Sequence, residues 1–520
     1  MRRLAFPLLM LLAGCARGGG TVPAPAAAPV PATGAIGAEE LRRDLYAFAD
    51  DSMRGRETGT EDATRAARFL AARVQQLGLE PAGDSMYVQR VPLQRETLGP
   101  RTRIVVEEGG RPTPLGIGRD VVPLVNLGEG VPPTKLAASG DLVFAGYGLS
   151  TSSPKRDDLA GLDLAGKVVV VVNGAPAGAD SATRARLESQ GAISERLARI
   201  LPQRPAGVVI LLAGKGRELF HQIAPVLERG VALRSGGAAL PDSERPIPMI
   251  LLGVADSGSP LLPAGWPSDD RARVLTGRRL TAQVEQVKVP VTGYNVAAVV
   301  RGSDPLLRHT YVAYGAHYDH VGVVAPVNGD SIANGADDDG SGTVGLLAIA
   351  RVLQQSPVKP KRSTLFVWHV GEEKGLLGSK YFTDHPMVPI DSIVAQLNAD
   401  MIGRNAPDLL YTVGPLAAAN GQSRRLGAIV DSVNAAQPRP FAISREYDSP
   451  DHPEHIYERS DHYNYARKGI PILFFTTGLH DDYHKPSDEA GKIDYDKMAR
   501  AVQLMLESGR AVGNGAARPR

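Results

Sequence analysis

One cysteine, Cys15, occurs in 520 residues. No intramolecular disulfide can form and no multi-thiolate metal site can be built. Any metal must therefore be held by His, Asp and Glu, a donor set suited to zinc, cobalt or manganese. Aromatic residues make up only 5% of the chain, so Val, Leu, Ile and Ala must supply much of the interior. A charge excess of one sign is also lacking: 58 Lys and Arg stand against 56 Asp and Glu, a formal net charge of +2. That balance argues against nucleic acid as the main partner. No Gly-x-Ser-x-Gly elbow comes after an apolar strand run, which disfavours a serine hydrolase.

The length points to two or three domains, and the 57 Gly and 40 Pro imply many turns and at least one linker. Met1-Arg2-Arg3 precedes an apolar run from Leu4 to Ala13. A positive segment before so short a run reads as a secretory signal, since a spanning helix needs about 20 apolar residues. The run ends in Leu12-Ala13-Gly14-Cys15 and resembles the bacterial lipoprotein box. Residues 1–15 are thus expected to be a signal peptide ending at a cysteine that becomes lipidated. Residues 16–37, rich in Ala, Gly and Pro, are expected to be a disordered tether. The expectation is an exported protein, lipid-anchored at Cys15 to a bacterial outer membrane or cell surface, its body facing the periplasm or exterior.

From Ala38 to Leu79 the spacing predicts helix, with Ala66, Phe69, Leu70 and Val74 on one face and Gly78 as the stop. Short alternating runs between Tyr87 and Pro123 predict strands. The apolar runs Val168 to Val172 and Gly207 to Leu212 predict buried strands in a separate unit. After Val289 the composition changes: ten of the eleven histidines lie between His309 and His484. There, apolar strand runs alternate with helical stretches, the pattern of an α/β domain with a largely parallel sheet.

The chemistry sits at the end of each apolar run. Tyr311 to Ala316 leads to His317-Tyr318-Asp319, and Leu365 to Val370 leads to Gly371-Glu372-Glu373. Ile393 to Ala399 leads to Asp400, and Ile472 to Thr477 leads through a short loop to Tyr483-His484. Parallel sheets place their sites at the carboxyl ends of strands, so these side chains are expected to converge. Asp337-Asp338-Asp339-Gly340-Ser341-Gly342 forms a turn opening a helix at Thr343 to Leu353. His452 and His455 flank a proline and read as loop residues. Ser460, Asp461 and His462 are too close in sequence to form a catalytic triad and are expected to play a supporting part.

These motifs, in this order, resemble the co-catalytic dizinc aminopeptidases of clan MH, relatives of glutamate carboxypeptidase and of transferrin-receptor-like proteins. The resemblance runs from about residue 38 to 510 and includes Arg54-Gly55-Arg56 and Tyr294-Asn295-Val296. It implies a zinc exopeptidase fold: α/β, with a mixed, mostly parallel sheet sandwiched by helices. It divides the chain into an N-terminal part of the peptidase body (38–136), an inserted β-rich unit resembling the protease-associated domain (137–287), and the catalytic domain (288–510). It implies two zinc ions per subunit, with His317 and Asp400 on one, Glu373 and His484 on the other, and Asp338 bridging both. Asp339 is the alternative bridge. Asp319 is expected to orient His317, Glu372 to be the general base, and Tyr483 to stabilise the tetrahedral intermediate. Such a site hydrolyses N-terminal residues from peptides. A carboxypeptidase of the glutamate carboxypeptidase type and a non-catalytic receptor-like protein are the alternatives; a glutaminyl cyclase would need only one zinc.

Overall fold

The computed structural model describes residues 35–124, 136–152, 155–214, 248–417, 421–449 and 454–519, with 216–217, 220, 224, 229–234 and 452 besides. The expected signal peptide, Cys15 and most of the tether lie outside these residues. The described chain divides into two units, one comprising residues 35–93 and 290–519 and the other 94–289.

The first unit opens with α1 (Ala38–Phe48) and α2 (Glu61–Gln76). Leu41, Leu45 and Phe48 recur along one face of α1 and are fully buried, as a helical period requires. Thr60 caps α2 by accepting the Ala63 N–H, and Glu61 and Asp62 suit the positive end of its dipole. The expected single helical stretch is broken between them. Arg54 and Gly55 have φ of 50° and 66°, and a Cβ at Gly55 would lie 2.4 Å from the Ala333 carbonyl oxygen and 2.6 Å from that of Gly322. This turn admits only glycine at 55.

Besides the separate hairpin of Gly322–Val327 and Asp330–Ala333, seven strands of the main sheet come next: β1 (Gln286–Val300, entering the unit at Pro290), β2 (Tyr311–His317), β3 (Ser363–His369), β4 (Ile393–Ala399), β5 (Leu409–Val413), β6 (Ala442–Ser444) and β7 (Ile472–Thr476). Their order in the sheet is β1-β3-β2-β4-β7-β5-β6. β3, β2, β4 and β7 are mutually parallel, while β1 and β5 join them antiparallel. Every residue of the four parallel strands is buried, as expected of a sheet covered on both faces. The connecting helices are α3 (Gly342–Gln355), α4 (Leu377–Asp384), α5 (Arg424–Ala435), α6 (His462–Arg467) and α7 (Tyr495–Asn514). The fold class is the mixed α/β architecture expected. From β2 the chain passes to β3 on one side and later to β4 on the other. That reversal opens a crevice at the carboxyl ends of β2 and β4.

The second unit has its own eight-stranded sheet, ordered 111–114, 103–108, 273–283, 137–144, 168–173, 207–212, 249–254, 121–123. The runs Val168–Asn173 and Gly207–Leu212 are fully buried parallel neighbours. The expected boundary at residue 137 falls inside this unit, which begins at Gln94. The reason is strand pairing: 103–108 lies on 273–283, and 121–123 on 249–254. The strands 103–108, 111–114 and 121–123 are therefore part of this sheet rather than of the first unit's.

Candidate metal centre

The carboxyl ends of β2, β3, β4 and β7, with the turn before α3, bring six of the expected residues together. His317 is the last residue of β2. Its Nε2 lies 3.2 Å from Asp338 Oδ1, 3.6 Å from Asp400 Oδ1 and 3.9 Å from Glu372 Oε2. On the far side of Asp338, Oδ2 lies 3.1 Å from His484 Nε2, and His484 Nε2 is 3.1 Å from Glu373 Oε2. Asp338 thus stands between two groups of donors. One is His317, Asp338 and Asp400; the other is Asp338, Glu373 and His484, to which the structure adds His320.

Asp338 and Asp339 differ in what their carboxylates meet: Asp338 belongs to both donor groups. Asp339 turns inward and accepts N–H groups from His317 at 3.1 Å and Gly342 at 2.9 Å, so its carboxylate serves the scaffold. Asp488 accepts the N–H groups of Asp337 and Asp338 at 3.0 and 3.1 Å, and Asp337 accepts that of Gly403 at 2.7 Å. The turn is held by carboxylates that face away from the donor groups.

Asp319 reaches His317 differently from the expectation. His317 Nδ1 pairs with the main-chain oxygen of Asp319 at 3.0 Å. The Asp319 carboxylate lies 3.8 Å from Nδ1 and instead accepts from the Thr58 hydroxyl at 2.7 Å and the Glu372 N–H at 3.2 Å. With Nδ1–H donating to a carbonyl, Nε2 keeps its lone pair for a cation. Tyr483 stacks on His484 with ring centroids 3.9 Å apart and lines the crevice. Ser460, Asp461 and His462 diverge: Ser460 Oγ donates to Asp400 at 2.8 Å, while His462 Nε2 pairs with the Tyr457 carbonyl at 2.9 Å. His452 and His455 stand outside both donor groups.

Arg56 gives the Arg54-Gly55-Arg56 motif its purpose. Fully buried, it donates to the carbonyls of Tyr318 (2.7 Å), Asn334 (2.6 Å) and Gly335 (2.9 Å). It joins the segment carrying His317 and His320 to the turn carrying Asp338.

Many donor atoms here have no hydrogen-bond partner among the described residues: His317 Nε2, both ring nitrogens of His320, Asp338 Oδ2, both oxygens of Glu373, and His484 Nε2. Buried polar atoms are ordinarily satisfied. These approach one another without hydrogen-bond alignment, which is what ligands around a cation do. The residues present fit a pair of divalent metals.

Electrostatics separate the adjacent glutamates. Burial opposes ionisation at Glu373, but His484 and His320 outweigh it and bring its pKa down to about 2. At Glu372 burial prevails, reinforced by the charges of Glu373 and Asp400, and pushes the carboxyl well above its ordinary range. Burial is likewise outweighed at Asp338, held well below the carboxylate range by His320, His317 and His484. The adjacent carboxyl groups of Glu372 and Glu373 are thus driven apart in proton affinity.

A crevice rises from Asp338, Glu372 and Asp400. Its walls are largely apolar, with Tyr447, Ile456, Phe474 and Leu479, and Arg459 lies at its side. Arg459 pairs with Glu454 at 3.0 Å.

Residues 295–508 match the family model for peptidase family M28. Among curated proteins, the chain is 29% identical over 237 residues to a probable leucine aminopeptidase of Arthroderma otae, covering 43% of this chain and 58% of that one. It is 30% identical over 247 residues to leucine aminopeptidase 1 of Uncinocarpus reesii, covering 43% and 56%. The chain thus spans less than two thirds of the length of these curated relatives. Among solved structures, the fold is similar to an aminopeptidase from an Aneurinibacillus strain, with a TM-score of 0.55 and 20% identity over 93% of this chain and 95% of that one. It is also similar to a zinc aminopeptidase from Bacillus subtilis, with a TM-score of 0.52 and 17% identity over 92% and 95%.

Proposed function

We propose, taking the match of residues 295–508 to peptidase family M28 as premise, that the protein is a zinc-dependent exopeptidase that removes N-terminal residues from peptides. The observation that carries this reading is the pair of donor groups sharing Asp338, with Glu372 beside them. His317 and Asp400 would hold one zinc, Glu373 and His484 the other, and Asp338 would contribute one carboxylate oxygen to each. Zinc bound there supplies Lewis acidity toward water and toward a scissile carbonyl.

Glu372 reaches into the crevice, and its raised proton affinity suits a group that takes a proton from attacking water and returns it to the leaving amine. Burial and the nearby carboxylates keep the Tyr483 hydroxyl protonated, so it can donate to a developing oxyanion. The apolar walls receive a side chain of the leucine type. The basic side chain that lines the crevice, Arg459, is already engaged by Glu454 and is not directed to a C-terminal carboxylate. This favours the free amine end over the carboxypeptidase alternative.

The proposal extends to placement. The sole cysteine, directly after Leu12-Ala13-Gly14, supports a lipid anchor that holds the body outside the cytoplasm. The inserted unit is assigned to the protease-associated type on its β-rich composition.

The test is hydrolysis of leucine p-nitroanilide beside its N-acetylated form, before and after chelation and zinc add-back. Cleavage of the free amine alone, abolished by chelator and restored by zinc, is the expected result. Cleavage of a peptide from its carboxyl end instead would overturn it.

A further inference from the structure

His320 lies one residue beyond the His317-x-Asp319 motif and is fully buried. Its Nδ1 is 2.8 Å from Glu373 Oε1 and 3.6 Å from Asp338 Oδ2. Its ring stands edge-on to that of His484, with centroids 5.4 Å apart and planes at 76°. One donor atom from each of His320, Asp338, Glu373 and His484 lies within 4.8 Å of the others. The group around His317 has only two companions at that spacing among the described residues, Asp338 and Asp400.

We propose that the two metal positions are unequal, with His320 supplying a fourth protein ligand to the position formed by Asp338, Glu373 and His484. The inference rests on the dizinc reading and deepens it. Four nitrogen and oxygen donors complete a tetrahedral zinc shell, the arrangement of tightly held, closed sites. The three donors His317, Asp338 and Asp400 leave a position open, and Glu372 is the side chain next to it. Exchangeable chemistry therefore belongs to the three-ligand position, while the four-ligand position is a fixed charge that fills first.

Two observations distinguish ligation from a simple hydrogen bond to Glu373. Although Nδ1 is close to Glu373 Oε1, the N–H direction does not align with it, and neither nitrogen of His320 has a hydrogen-bond partner among the described residues. By contrast, His317 and His462 each spend one nitrogen on a carbonyl. His320 is also prevented from swinging away. A Cβ on Gly335 would meet its ring at 2.4 Å, so that glycine gives it room, and Arg56 fixes Gly335 through its carbonyl. The His320 N–H itself donates to the Arg56 carbonyl at 3.4 Å. The ring is clamped on the side away from the donor group.

The test uses the full chain, stripped of metal by chelation and titrated with Co²⁺ while its visible absorption and binding heat are monitored. Two equivalents should bind, the first more than about tenfold tighter and with the intense bands of a tetrahedral ion. In His320→Ala the first affinity should fall to that of the second and the bands should weaken. His320→Asn retains a side-chain donor for Glu373 but not the imidazole, and should behave like His320→Ala. Melting curves of the metal-free variants establish that both fold. Wild-type affinity and spectrum in folded His320→Asn would overturn the inference and make His320 a hydrogen-bond partner only. Uptake of fewer than two equivalents by the unaltered protein would overturn the dizinc reading itself, and this inference with it.

Discussion

Ser460 Oγ donates a 2.8 Å hydrogen bond to Asp400 Oδ2 and accepts one of 2.9 Å from Asn398 Nδ2. The relay points the other Asp400 oxygen at the His317 side of the centre. Ser460→Ala should lower metal affinity at that position by about 10–100-fold, the usual cost of losing a partner that orients a ligand. Zinc retained after dialysis against a weak chelator measures this; unchanged retention would make the relay irrelevant.

Glu372→Gln should leave zinc content near normal and lower kcat by roughly 10²–10⁴-fold, the share a general base ordinarily contributes. His484→Ala should lower both. Loss of zinc in Glu372→Gln would reassign Glu372 as a ligand.

Arg56→Ala leaves the buried carbonyls of Tyr318 and Asn334 without their donor, while that of Gly335 keeps the Gly340 N–H. At about 1–3 kcal/mol for each unsatisfied group, stability should fall by roughly 2 kcal/mol or more. Arg56→Lys keeps a charge but not the guanidinium fork, so it should recover only part of the loss. Urea unfolding of the metal-free protein reads both.

Ile456 forms part of the apolar wall. Ile456→Ala removes contact with a leucine-sized side chain and should lower kcat/KM for leucyl substrates relative to alanyl ones by about 10-fold or more, within the range of a hydrophobic pocket. An unchanged ratio would place the side-chain pocket elsewhere.

Cys15→Ala should shift the protein from the membrane fraction to the soluble fraction with its activity intact. Continued tight attachment would refute the lipid anchor.

The sheet and most of the centre are legible in the sequence because each donor comes after an apolar run, and a parallel strand delivers the residue after its carboxyl end to one edge. Asp338 against Asp339 is not decidable that way. Adjacent carboxylates are chemically alike, and only the path of the turn shows which one is consumed by the N–H groups of His317 and Gly342. His320 escapes the motif reading although a signal is present: it is the third His or Asp within four residues. Asp488 carries no signal, since its work is to hold main-chain N–H groups from a loop distant in sequence. The boundary at Gln94 is hidden because alternating strands look the same whichever sheet they join.

The Arg56 clamp also sets a timetable for synthesis. Arg56 and the Asn334 carbonyl it binds are 278 residues apart, with the second unit encoded between them. At about 5–20 residues per second, roughly 15–55 s separate their emergence from the ribosome. Throughout that interval the nascent chain carries its first two helices without the partners that finish the centre. The two donor groups can thus be assembled only once His484, near the end of the chain, has emerged.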